Sequence, residues 1–442
     1  MLIELKGHYT QKRLVQTVVP SILMVLISSV YGVVDGLFVS NFAGKTPFAA
    51  INLVWPAIMV VSSLGVMVGV GGSALVAKIK GEGDEVKANK VFSMLIEFSV
   101  AVGLVLGILS FVFMPQIVDW LGSDQQMASY SILYGRMLAA ALPFSILQMT
   151  FTPFFMTAER PDLGTKFTII CGLVNIVLDA IFIGWLHWGI AGAAAATIAS
   201  QMVGSIGPLL YFSTKRNHSS LKIRITPIEW HPIRKACVNG SSEFVANISF
   251  SVVSMCYNWQ LMQYLGQAGV AAYGIIMYAG MIFYSIVSGF NIGVSPIIAY
   301  NYGANDRTEM HSLLKHSLII MGVIDLVCLV SSELSAPLVA RIFVGYDPEL
   351  LQLTTVAFRI YMISFLFSGY NAFTSAFFTS LNNGVVSAVL SFTRFVFEVA
   401  SIFILPLLLG SAGIWISVVL SETFAILLSG IAIISLRKRY GY

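Results

Sequence analysis

Charge is what this sequence most lacks. Asp, Glu, Lys and Arg together make up only 10% of its 442 residues, where a soluble domain carries about 25%. That shortage excludes a disordered chain and a soluble enzyme of several domains. Cysteine is scarce too. Cys171, Cys237, Cys256 and Cys328 all lie in apolar stretches without CxxC spacing, so a disulfide scaffold and a thiolate metal site are excluded. The six histidines are scattered. Walker A, HExxH and GxSxG patterns are absent. No catalytic residues and no cofactor are therefore expected. The start of the chain, MLIELKGHYTQKR, is too polar for a cleaved signal, so the first helix is expected to remain.

What is abundant is apolar. Hydrophobic residues make up 57% and mean hydropathy is +0.84, which at about 20 residues per crossing means many spans. The expected fold is an all-α polytopic membrane protein with twelve transmembrane helices in two six-helix lobes. Apolar runs place the first six spans at 14–40, 48–78, 91–114, 128–157, 163–186 and 189–212. The second six fall at 237–265, 270–300, 312–331, 350–381, 384–409 and 412–435. Residues 1–212 form the expected N-lobe, 213–235 a polar linker and 236–442 the C-lobe. Basic residues crowd one side, among them Lys12, Arg13, Lys78, Lys80, Lys215, Arg216, Arg234 and Arg437, whereas the other side has little beyond Lys45, Arg136 and Arg341. By the positive-inside rule both termini face the cytoplasm, in a multi-pass inner-membrane protein. The net charge of +4 is then a topology signal and implies no nucleic-acid partner. Lipid surrounds the chain, and a monomer is expected.

The sequence repeats itself. GGSALVAKIKGEGD (71–84) matches GVSPIIAYNYGAND (293–306) at an offset of 222, pairing Gly71 with Gly293, Gly81 with Gly303 and Asp84 with Asp306. The same offset pairs Gly44 with Gly266 and Phe155 with Phe377, while Gly189 and Gly410 match at 221. Six spans per repeat is an even number, so the halves lie parallel, related by an axis along the membrane normal.

Ionisable residues within spans are costly, about 2.5–3.5 kcal/mol at mid-membrane, and so mark function. Asp35 lies on helix 1 and Asp179 on helix 5, with Asn175 one turn before Asp179. The small-sided helix 6, GIAGAAAATIAS (189–200), permits close packing and offers the Thr197 hydroxyl. If helices 1, 5 and 6 converge, these four residues make an oxygen-rich ion-coupling pocket. Two carboxylates there would share a proton or hold a hard cation such as Na⁺ between them. Structural hydrogen bonds are the alternative reading for Asp179, Asn175 and Thr197, and snorkelling near the outer rim is the alternative for Asp35. Pro20 on helix 1 reads as a static kink or as a hinge coupled to Asp35. The second half does not copy the pocket, since Tyr257 and Ser401 stand at the equivalent positions. Arg394 and Glu398 on helix 11 read as a compensated i,i+4 pair that would also border a substrate cavity. Tyr31, one turn before Asp35, is a candidate for contacting flat organic cations.

These features resemble the MATE family, the multidrug and toxic compound extrusion antiporters of prokaryotic type. The resemblance rests on Pro20 with VVDGLFVSN (33–41), NIVLD (175–179), GIAGAAAAT (189–197) and the two GxxxxAxxxGxxD stretches. It implies proton or sodium coupling at Asp35, Asn175, Asp179 and Thr197, and bending of helix 1 at Pro20. Some members carry an acid on helix 10, where this chain offers only Asn371. The expected function is secondary active efflux of amphipathic, often cationic and aromatic organic compounds by H⁺ or Na⁺ antiport. The rivals are a lipid-linked precursor flippase, which would line its cavity with several Arg or Lys, a membrane-embedded enzyme, and a channel.

Overall fold

The computed structural model describes residues 4–39, 42, 45–123, 125–214, 217–224, 226–345 and 347–442. Gly44, Lys215, Arg216 and the end of the VVDGLFVSN motif, Ser40 and Asn41, lie outside them. The first half contains α1 (Gln11–Phe38), α2 (Lys45–Gly81), α3 (Glu85–Trp120), α4 (Gln125–Ala140), α5 (Leu142–Thr157) and α6 (Pro161–Asp179). A π-helical segment, Ala180–Trp185, continues α6, and α7 (Gly189–Ser213) completes that half. The second half contains α8 (Trp230–Gly303), α9 (Arg307–Val344), α10 (Pro348–Met362), α11 (Phe365–Ser380), α12 (Gly384–Leu409) and α13 (Ser411–Tyr440). No strand occurs among the described residues.

Among the described residues these helices amount to twelve apolar spans, counting each bent pair as one and α8 as two. α8 is 74 residues long and breaks at Gly266 (φ 62°, ψ −151°), so it supplies spans 7 and 8. Spans 4 and 10 differ from the straight helices expected at 128–157 and 350–381. They bend by 56° between α4 and α5 and by 42° between α10 and α11. Pro143 follows the first bend and has no N–H to return to the preceding turn. At the second, Ile363 and Ser364 donate to Ile360 and Tyr361 in tight three-residue turns, and Ser364 Oγ also donates to Tyr361 O at 2.7 Å. The two bends fall at Ala141 and Ile363, 222 positions apart.

The internal repeat is visible in local chemistry. Asp84 caps α3 by accepting from Lys87 N, and Asp306 caps α9 by accepting from Glu309 N. The halves meet where α2 crosses α8. A Cβ on Gly81 would lie 2.0 Å from Tyr300 O, and one on Gly303 would lie 2.0 Å from Lys78 O. Only glycine lets two backbones approach so closely, and within lipid such packing does the work that hydrophobic burial does in water. Farther along the crossing, Asn239 Nδ2 donates to Gly71 O at 3.2 Å and to Thr379 O at 2.9 Å.

Both ends of the chain reach this face, and residues 4–10 form a strap across it. Leu5 N–H donates to Glu159 Oε1 of the first half at 3.3 Å, and Asn301 Nδ2 of the second half donates to Leu5 O at 3.4 Å. Tyr9 N–H donates to Glu309 Oε1 at 2.8 Å, while His8 Nδ1 meets Glu309 Oε2 at 2.8 Å. His316 Nδ1 lies 2.9 Å from Tyr9 O. Leu5 and Tyr9 are fully buried in one cluster with Met310, Phe377 and Tyr442.

Two outcomes follow from these contacts. Gly303→Leu should part α2 from α8, so that short-linker cross-linking between Glu82→Cys and Ala304→Cys falls several-fold in a background without native cysteines. Gly430→Leu, where nothing lies within 4 Å, should leave the cross-link intact. Glu309→Ala should release the strap, and loss of a hydrogen bond to a charged acceptor, worth about 1.5–3 kcal/mol, speeds amide exchange at Tyr9 roughly 10- to 100-fold. Hydrogen–deuterium exchange on the peptide spanning 4–12 measures it.

Candidate functional site

α1 and α6 run side by side, with the Tyr31 ring seated on Gly172, where an added Cβ would come within 3.1 Å of Tyr31 Cδ1. α7 joins them through Ser200 Oγ, which donates to Cys171 O at 2.9 Å. Helices 1, 5 and 6 of the sequence reading therefore do converge. The convergence brings Asp35 and Asp179 together as immediate neighbours, with Asn175 beside Asp35. Asp179 is fully buried and Asn175 is 3% exposed. Asp35 Oδ1 and both oxygens of Asp179 are buried without a hydrogen-bond partner among the described residues.

α6 changes to π-helical winding immediately after Asp179. Single π turns inside spanning helices are frequent at functional sites, because they re-aim side chains and free backbone carbonyls. A buried, unsatisfied carboxyl costs more than any other polar group left alone. Two unit charges about 4 Å apart repel by about 4 kcal/mol at an effective dielectric of 20. The two carboxyls therefore cannot both carry their charge side by side at low cost.

Other expected members fall differently. Thr197 is half-buried on α7, and among the described residues no hydrogen bond ties it to either carboxyl. The polar link from α7 to α6 is one turn away, at Ser200. Tyr31 reaches the acid pair as a packing ring in the α1–α6 seam. α1 passes Pro20 without interruption, and the Pro20 carbonyl accepts from Thr165 Oγ1 at 3.1 Å. One neighbour was not legible beforehand. Tyr134 on α4 is 1% exposed, and its hydroxyl is within electrostatic reach of both acids. Nothing in SYSILYGRM marks it in the sequence, because only the tertiary approach of α4 brings it there.

The second half holds a different constellation. Arg394 of α12 makes its ion pair with Glu422 of α13, at 2.5 Å. The expected partner was Glu398, one turn along the same helix. Glu422 prevails because it is held in place: Asn371 Nδ2 donates to Glu422 Oε2 at 2.7 Å and to its carbonyl at 3.0 Å. Ser429 Oγ in turn donates to Asn371 Oδ1 at 3.0 Å. Asn371 is thus a link in a network. The carboxylate missing from helix 10 is supplied by the last helix. Glu398 is buried within reach of Arg394. Arg394 keeps 36% of its side-chain surface open.

Where Asp35 has its counterpart, Tyr257 stacks on Tyr273 at 4.9 Å and shares a hydrogen bond of 2.8 Å with Ser417 Oγ. Asp325 on α9 is a further buried acid. It accepts from Tyr370 N at 3.3 Å and presses on Gly369, where a Cβ would lie 2.0 Å from its Oδ1. Glu422 and Asp325 are acids within apolar spans that the sequence alone does not distinguish from rim residues.

The chain matches the MatE family model over residues 20–181 and again over 244–404, one copy in each half. It is 25% identical to the multidrug export protein MepA of Staphylococcus haemolyticus, over 95% of this chain and 92% of that protein. In fold it resembles a multidrug resistance MATE family transporter of the MOP superfamily solved in an outward-facing conformation, with a TM-score of 0.91, 23% identity and 98% of both chains covered. A MATE structure in the straight conformation superposes with a TM-score of 0.91 at 22% identity, again over 98% of both chains. With a match that runs through both repeats and covers well over half its length, the chain belongs to the MatE family.

Proposed function

We propose that this MatE transporter is an antiporter that drives amphipathic, often cationic organic compounds out of the cell. A proton or sodium ion entering at Asp35 and Asp179 supplies the energy. The observation that carries this reading is the buried acid pair, three of whose four oxygens (Asp35 Oδ1 and both of Asp179) have no hydrogen-bond partner among the described residues. An ion moves a two-state equilibrium only by binding the two states unequally. The pair provides that inequality if one state exposes it and the other encloses it. Asn175 belongs to the same site, and Thr197 lies beside it on α7, one turn from the Ser200 link to α6.

The relatives named as multidrug export proteins support efflux as the direction of transport. Alternating access is supported by where the halves touch. The α2–α8 crossing at Gly81 and Gly303 and the strap of residues 4–10 close the face that carries both termini. In the topology read from the basic residues, with 1–212 and 236–442 as the lobes and 213–235 as a cytoplasmic linker, that face is the cytoplasmic one. This conformation is then the outward-open one, with Asp35 lying beyond the closure. Arg394, which keeps part of its side chain open, is the member of the second-half network best placed to meet a substrate, with Glu398 and Asn371 behind it and Tyr31 in the α1–α6 seam. Arg394 is charge-paired with Glu422, so this network does not present the several free cations that a lipid-phosphate flippase needs.

Asp35→Asn should abolish coupled efflux of a fluorescent organic cation from proteoliposomes, by at least about tenfold, while thermal unfolding in detergent changes little. Wild-type rates in that variant would sink the proposal. Imposed separately, a pH gradient and a sodium gradient identify the ion, and a wild-type protein that answers to neither is no antiporter.

A further inference from the structure

One surface groove belongs to none of these buried networks. It lies between α3 and the first turns of α8, measures about 520 Å³, and is lined by Phe98, Trp230, His231, Ile233, Arg234 and Cys237. Its floor is apolar: Ile233 is 2% exposed, and Phe98 and Cys237 pack against the same core. Its rim is cationic. Arg234 is exposed, with no hydrogen bond or ion pair among the described residues, and Lys235 beside it is within reach of Lys78 and Lys87. The acids at this corner are already paired, Glu82 with Lys78 at 3.5 Å and Glu229 with Lys90.

Two further features fix the setting. Trp230 is 71% exposed, and its ring meets Phe98 edge-on at 6.4 Å. A tryptophan at the end of a spanning helix sits at headgroup level. From Phe98, the same face of α3 continues through Ala101, Val105, Ile108 and Val112 at helical spacing. All four are exposed, Val105, Ile108 and Val112 by 57%, 63% and 55%. A free cationic rim at the interface thus opens onto an apolar track running into the bilayer.

We propose that the groove holds an anionic phospholipid, with its phosphate on Arg234 and His231 and its acyl chains along Ala101, Val105, Ile108 and Val112. Basic recesses between spanning helices favour anionic headgroups in this way, and a guanidinium binds phosphate oxygens with two parallel hydrogen bonds. An inorganic phosphate would use the rim but not the track. The groove takes one wall from each half of the molecule. Bound lipid therefore favours the arrangement in which α3 and α8 meet, and the membrane's anionic content sets how long the protein dwells there.

The test reads lipid binding and needs no transport. Purified protein is placed in nanodiscs of phosphatidylcholine doped with a minor fraction of brominated phosphatidylglycerol or brominated phosphatidylcholine. The signal from Trp230 is the fluorescence difference between wild type and Trp230→Phe. The anionic brominated lipid should be enriched roughly fivefold at Trp230 over the zwitterionic one. That preference should vanish in Arg234→Gln with His231→Gln, both exposed positions, and persist in millimolar inorganic phosphate. Equal quenching by the two lipids in wild type overturns the proposal without any variant. A preference that survives the double substitution also overturns it, as does one abolished by inorganic phosphate alone, which would indicate a phosphate site.

Discussion

The architecture depends on one close approach. α2 and α8 cross with glycine against backbone carbonyl all along their contact, at Gly71 with Ala236, Gly240 with Met67, Gly81 with Tyr300 and Gly303 with Lys78. Inside a bilayer the hydrophobic effect does not push helices together, so contact distance decides which surfaces adhere. A methyl group at any of these glycines would come within 2.1 Å of a carbonyl oxygen. The chain has thus committed its closest packing to the seam between its halves. Within each half, close glycines such as Gly65 against Ile146 and Gly384 against Val238 are joined by larger side chains, such as Phe92, Phe151, Phe154 and Phe212 in the first and Phe290, Phe373 and Phe377 in the second.

Around that shared frame the two halves solve the problem of buried charge differently. The first leaves Asp35 and Asp179 facing one another with no basic residue between them. The second gives Glu422 an arginine and an asparagine, and puts Tyr257 where the first half has Asp35. A carboxylate with a built-in counter-ion has little need of a mobile one, whereas one without it does. On a symmetric scaffold the two halves thus carry chemically different buried sites.

Much of this was legible in the sequence, for definite reasons. Span positions follow from run length, and the repeat follows from glycines and caps whose chemistry is local, such as Asp84 and Asp306. Asp35, Asn175 and Asp179 stood out because acids are rare in apolar helices, and helical spacing aligned the latter two. What escaped was whatever depends on a neighbouring helix. Arg394 seemed to belong with Glu398 because only sequence distance was visible, yet a guanidinium reaches across to α13 as easily as along α12. Tyr134 carries no local mark at all. The 42° bend near Ile363 has no proline to announce it, although its twin at Ala141 is followed by Pro143.

Three links on the face opposite the termini are very short. Gly266 alone separates the two arms of α8, Gly410 alone separates α12 from α13, and only Leu186, His187 and Trp188 lie between the π-helical segment and α7. Such junctions expose almost no flexible backbone. A protease finds little to cut there, and an antibody finds few protruding epitopes. A binder raised against that face would have to reach down into the space between the halves, so the reagents that recognise it best would be those that also hold the halves apart.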